Sequence, residues 1–210
     1  MLNSLLLNYG FPKSRKVIYN GVNPKEFYSD NKEKYIFCMG RLWDDAKNIN
    51  TVLKASSLIG YPVYIAGENK VLNQSVIPRN VFFTGQLSIT EIAGWLSNAS
   101  IYLLPVKYEP FGYTFLEAAF SGCVLMTGDI QSMHEIWNGA AVYVDPDNEI
   151  QIAHEINRYM GDKKLRNSMA EKARKRALEN FTLEIMLKEY SLVYNNILKN
   201  TLSGVKIIYQ

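Results

Sequence analysis

Short apolar runs recur at residues 35–39, 63–66, 81–84, 101–105, 123–127 and 141–144, most of them followed by glycine or a polar turn. Apolar runs of this length, bounded by turn residues, read as buried strands. Between them the period lengthens, as where Phe115, Ala118 and Ala119 fall at i, i+3 and i+4, which predicts helices over 48–59, 88–98 and 113–121. Ser88 with Glu91 three residues on reads as a capping box for the second of these. A weaker strand is expected at 16–19, before the Asn20, Gly21 turn, and residues 1–10 read as a helix end stopped by Gly10 and Pro12. From residue 148 the pattern is helical to about 199, broken near 161–162 and 180–182, so three helices are expected, with Thr182 capping the last. Strands alternating with helices predict an α/β fold, a parallel sheet with helices on both faces.

Within that pattern, residues 108–122 (YEPFGYTFLEAAFSG) form a strand exit, a loop and a helix N-terminus. Gly112 lets a ligand approach the backbone, and the first helical N–H groups have no partner inside the helix, an arrangement that suits phosphate or sugar oxygens. Two carboxylates flank it: Glu109 in the loop and Glu117 in the second helical turn. Carboxylates accept from hydroxyls but repel phosphate. Together they suggest a ligand with both phosphates and hydroxyls, which a nucleotide sugar satisfies. Arg41 and Lys47 follow the 35–39 run, at a strand end and a helix start, where open parallel sheets bind ligands and where their donors would meet phosphate oxygens. A surface ion pair is the alternative for Arg41.

Glu109, seven residues and Glu117, read as EPFGYTFLEA, resemble the E-x7-E motif of the retaining GT-B glycosyltransferases, most closely family 4 (glycosyl transferases group 1). VIYNGVNPKEF, GRLWDDAKN, AGEN, FTGQLS and HEIWNGAAVYVDPDN resemble further family segments, with the spacing from Arg41 to Lys47 one residue longer than usual. The resemblance implies a Rossmann-like sheet forming one half of a GT-B fold: a single donor-binding domain over 1–210, with 1–15 a linker remnant and 182–210 a crossover helix and tail. It implies transfer of a glycosyl group from a nucleotide sugar, with retention, without a metal and with no cofactor. Arg41 and Lys47 would hold the diphosphate beside Gly40. Phe111, Gly112 and Tyr113 would offer backbone donors, Glu109 would orient the sugar, and Glu117 would bind ribose hydroxyls. Gly67, Gln86 and Leu87 would border the base, although turn chemistry accounts for them equally well. Glu135 would be structural. Whole family members are about twice as long, so a separate chain carrying the acceptor domain is an expected partner. A binding module without turnover is the alternative.

Composition narrows the rest. With 48% hydrophobic and 20% charged residues the chain is ordinary for a globular domain, and a net charge of +3 argues against nucleic acid as a partner. Cys38 and Cys123 fall in apolar runs and read as reduced core residues. The reading is cytoplasmic. Residues 163–176 hold seven basic side chains, which read as a solvated helix face, or alternatively as peripheral contact with an anionic membrane. Asp145, Pro146 and Asp147 read as a helix entry rather than a metal motif, His134 as a loop residue and His154 as a surface residue on a helix.

Overall fold

The computed structural model describes residue 10 and residues 15–27, 31–68 and 77–204. Six strands form one parallel sheet: β1 (Glu33–Met39), β2 (Val63–Ala66), β3 (Val81–Gly85), β4 (Ala99–Leu104), β5 (Val124–Gly128) and β6 (Val142–Val144), in the order β3-β2-β1-β4-β5-β6. The helices are α1 (Ile49–Ser56), α2 (Ile89–Asn98), α3 (Tyr113–Phe120), α4 (Gln131–Trp137), α5 (Glu149–Gly161), α6 (Lys163–Asn180) and α7 (Leu183–Gly204). They cover both faces of a Rossmann-like sheet, as the alternating pattern predicts.

The central strands are apolar on both faces because helices cover both. All six residues of β4 and all five of β5 are buried, whereas edge strand β3 buries Val81 alone. The order reverses between β1 and β4, since the chain builds outward from β1 through β3 and then returns to the other side of β1. At such a reversal the two loops leaving the carboxyl ends diverge and open a crevice.

Local signals hold well. Ser88 and Glu91 form the reciprocal capping box, the three final helices break where expected, and the Thr182 hydroxyl accepts from the Ile185 amide. Cys38 and Cys123 are buried and unbridged, and the His154 side chain is exposed on α5. Three expectations are corrected. Residues 16–19 form no strand: they pair with none of the six strands, and the neighbouring Val22 instead makes an isolated bridge to Thr182. His134 lies in α4 rather than in a loop. The basic run is not uniformly solvated, for Arg166 and Arg176 turn inward. Arg166 is buried, with Nη1 donating to the carbonyls of Tyr159 and Met160, and Arg176 donates to those of Glu135 and Ile136. The expected helix end at 1–9 and the tail at 205–210 lie outside the described residues.

Candidate functional site

The crevice is lined by the loops after β1 and β4. After β1, Gly40 leads into a single 3-10 turn, Asp45–Lys47, capped by the Asp44 carboxylate, which accepts from the Ala46 amide at 3.0 Å. Asn48 then takes a left-handed conformation, φ 59°. Its buried amide donates to the carbonyls of Pro105 (3.0 Å) and Pro146 (2.6 Å), and its side-chain oxygen accepts from Thr51. The Lys107 amide donates to the Ala46 carbonyl at 2.9 Å. These bonds knit the loop after β1 to the loop after β4.

Across that seam Lys47 Nζ meets Glu109 Oε2 at 2.6 Å, and the two side chains are only 16% and 12% exposed. Lys47 lies over Gly40, where a Cβ would stand 3.5 Å from its Cγ. Glu109 is fixed from two further sides: its Oε1 accepts from the Phe111 amide at 3.3 Å, and its carbonyl accepts from the Ser132 hydroxyl at 2.6 Å. The Phe111 N–H is therefore engaged by Glu109. Gly112 is the N-cap of α3 at φ 86°, and a Cβ there would lie 2.8 Å from the Phe115 ring, so both conformation and space require glycine. No side chain caps α3, leaving its first turn, from Tyr113, turned toward the crevice.

Glu117 sits half-buried in the second turn of α3. Desolvation pushes its carboxyl up to about 7, and the negative charge of Glu26 adds to the rise. Near neutrality it is thus divided between an acceptor-only carboxylate and a neutral acid. Behind the loop, Phe111 packs edge-on to Phe181 at 5.6 Å and beside Tyr19 at 6.5 Å, and the Tyr19 hydroxyl donates to Glu135. Glu135 thus ties the N-terminal segment to α4.

The structure brings Gly40, Lys47, Glu109, Phe111, Gly112, Tyr113 and Glu117 to one edge. It does not bring Arg41 into contact with Lys47 or Glu109. The Arg41 side chain is 63% exposed, pairs with Asp44 at 2.6 Å and lies over the Trp43 ring at 5.2 Å. Gly67 has φ 145°, and a Cβ there would lie 2.2 Å from the Gly40 carbonyl oxygen, so packing alone demands glycine. Gln86 and Leu87 follow edge strand β3, three strand positions from β4 and so roughly 14 Å from the Glu109 loop at ordinary strand spacing. The Asp145 carboxylate accepts from the Asp147 amide at 3.0 Å in a turn entering α5, and Asp147 pairs with Lys107. Asn48 and Ser132, which hold the two loops, carry no signal in the sequence beyond being polar residues in turns.

Comparison with known proteins bears on this geometry. The family model for glycosyl transferases group 1 matches residues 22–176. An uncharacterized glycosyltransferase of Methanocaldococcus jannaschii is 28% identical over 210 aligned positions, covering 85% of this chain, and the chain spans 53% of that relative. Among solved structures, the Anabaena protein HepE in complex with UDP and glucose superposes with a TM-score of 0.77 at 18% identity, covering 97% of this chain and 60% of HepE. The C-terminal domain of a glycosyl transferase group 1 family protein from Francisella tularensis gives 0.67 at 20% identity, covering 78% of this chain and 100% of that domain. The fold is accordingly one Rossmann-like half of the GT-B architecture. With the family match spanning all six strands and both loops of the crevice, the chain belongs to the glycosyl transferases group 1 family.

Proposed function

We propose that this chain is the C-terminal, donor-binding half of a retaining, metal-independent family 4 glycosyltransferase, and that it transfers a glycosyl group from a nucleotide sugar when joined by an acceptor-binding half. The observation that carries the reading is the Lys47–Glu109 pair, 2.6 Å long, spanning the strand-order reversal beside the uncapped N-terminus of α3. A half-buried cation, a carboxylate and free helical amides in one crevice match a ligand that carries both a diphosphate and a sugar ring. HepE, with the same fold, was crystallised with UDP and glucose, which supports the donor class.

In this scheme Lys47 and the first amides of α3 neutralise the diphosphate as it departs with the electron pair of the sugar C1–O bond. Arg41 reaches the same diphosphate by leaving Asp44. Glu109, held by Phe111 N–H and Ser132 beneath it, accepts from sugar hydroxyls and sets the ring for attack on the face the leaving group vacates. Glu117 accepts from the ribose hydroxyls, and Gln86 and Leu87 border the base at the far end. Residues 1–15 are read as interdomain linker and α7 as the helix that crosses to the acceptor half. The exposed Leu187 and Tyr194 of α7, 54% and 62% accessible, would then be covered by that half. Outward-facing Lys164, Lys172 and Lys175 of α6 support peripheral contact with an anionic membrane. A second reading, donor binding without turnover, rests on the chain spanning about half of its relative.

The test joins the chain to an acceptor-binding half, supplies an acceptor and a panel of uridine and guanosine diphosphate sugars in EDTA, and follows release of nucleoside diphosphate by 31P NMR. Release in EDTA, with the sugar product retaining its anomeric configuration, is expected. Release that needs a divalent cation, or an inverted product, contradicts the proposal.

A further inference from the structure

At the edge of the sheet opposite Lys47 and Glu109, the amino ends of β1 and β5 meet α6 between Lys163 and Arg174 around a cleft of about 380 Å³. Lys163, Arg166, Asn167 and Arg174 line it from α6, at i, i+3, i+4 and i+11, a spacing that keeps them on one helical stripe. Lys32 forms part of the facing wall, its ammonium fixed by the carbonyls of Leu96 (2.9 Å) and Ser121 (2.6 Å). Against these four cations, Glu171 is the one carboxylate lining the cleft among the described residues.

Arg166 gives the cleft its character. Only 6% of it is exposed. Nη1 donates to two carbonyls at the end of α5, which offset part of the charge, but Nε has no partner and no carboxylate stands within ion-pair distance among the described residues. A buried guanidinium without an anion is costly, and its planar fork matches a tetrahedral oxyanion. The position makes competition with the donor site unnecessary: the strands place the two edges roughly 20 Å apart.

We infer that this cleft binds a phosphate group, with Arg166 and Arg174 as the principal donors and Lys163 and Lys32 supplying charge. The group reaches it either on a free phosphate-bearing molecule or as a lipid headgroup, since both present the same oxyanion.

The test is titration of the 15N-labelled chain with inorganic phosphate at constant ionic strength, read by amide shifts. Saturable shifts at Gly122 and Asn167 are expected, and the double variant Lys163→Ala, Arg174→Ala, which leaves the buried Arg166 in place, should bind at least about tenfold more weakly. In a second arm the wild type is sedimented with phosphatidylglycerol vesicles and with phosphatidylcholine alone. Sedimentation with the first only, competed by phosphate and lost in the double variant, assigns the group to a headgroup. Phosphate binding without sedimentation assigns it to a free molecule. Absence of saturable shifts at Gly122 and Asn167 in the folded protein, or shifts confined to Gly40 and Gly112, overturns the inference.

Discussion

Lys47 and Glu109 illustrate how much one contact can carry. Two charges at 12–16% side-chain exposure have lost most of their water, and each depends on the other for compensation. Removing one partner leaves the other largely desolvated and without its counter-charge, which costs about 3 kcal/mol, whereas removing both relieves much of that cost. Lys47→Met and Glu109→Gln are each expected to lower stability by about that amount in urea unfolding, and the double variant by clearly less than the sum. Glu117 makes a different prediction, in pH. Its carboxyl is raised to about 7 when folded, from an ordinary value of 4.5, so between those values the folded chain binds more protons than the unfolded one. Stability from this group is therefore fully present below about pH 4.5 and is lost as pH rises toward 7. Urea midpoints of the wild type should fall relative to Glu117→Gln across that window and then run parallel above it.

At the scale of elements, the crevice depends on a seam between two loops, and Asn48 is its main fastening. It bonds the ends of β4 and the turn after β6 from a left-handed position that few residues adopt readily. Asn48→Ala leaves one buried and one half-buried carbonyl without that donor and is expected to cost about 2 kcal/mol, measured by thermal unfolding, and to weaken donor binding with no substrate contact removed. The same seam explains what the sequence could and could not show. Strands, helix breaks and the Ser88–Glu91 cap were legible because each is encoded within a few residues. The Glu109–Glu117 motif was legible because both ends ride on one loop and one helix. Asn48, Ser132 and the Lys47–Glu109 contact were not, since their partners lie 57, 23 and 62 residues away and only the sheet order brings them together. The inward turn of Arg166 and Arg176 was hidden for a related reason. A long side chain on a charged helix follows whichever carbonyls the neighbouring elements present. Residues 16–19 had the composition of a strand, but the backbone pairing in this segment falls at Val22, with Thr182.

At the scale of the molecule, the two edges of the sheet differ in kind. The carboxyl edge gathers a neutralised cation–carboxylate pair, a glycine N-cap and a carboxyl that titrates near neutrality. The amino edge gathers an excess of positive charge on α6. No helix among the described residues is long and apolar enough to cross a membrane. The apolar residues left open along α7, Leu187 and Tyr194 among them, lie on the helix that the proposal places against the acceptor half. The chain also spans about half of its relative. Donor binding and full turnover are therefore separable properties on this account, the first resident in the crevice and the second requiring a joined half.

Calorimetric titration of the chain with uridine, guanosine and adenosine diphosphates and their sugar conjugates, in EDTA, tests the central claim most directly. The account predicts saturable binding of one nucleotide series, weakened at least about tenfold by Lys47→Met and by Glu117→Ala. Binding of every series alike, or affinity unchanged in both folded variants, would contradict the assignment of this crevice as the donor site.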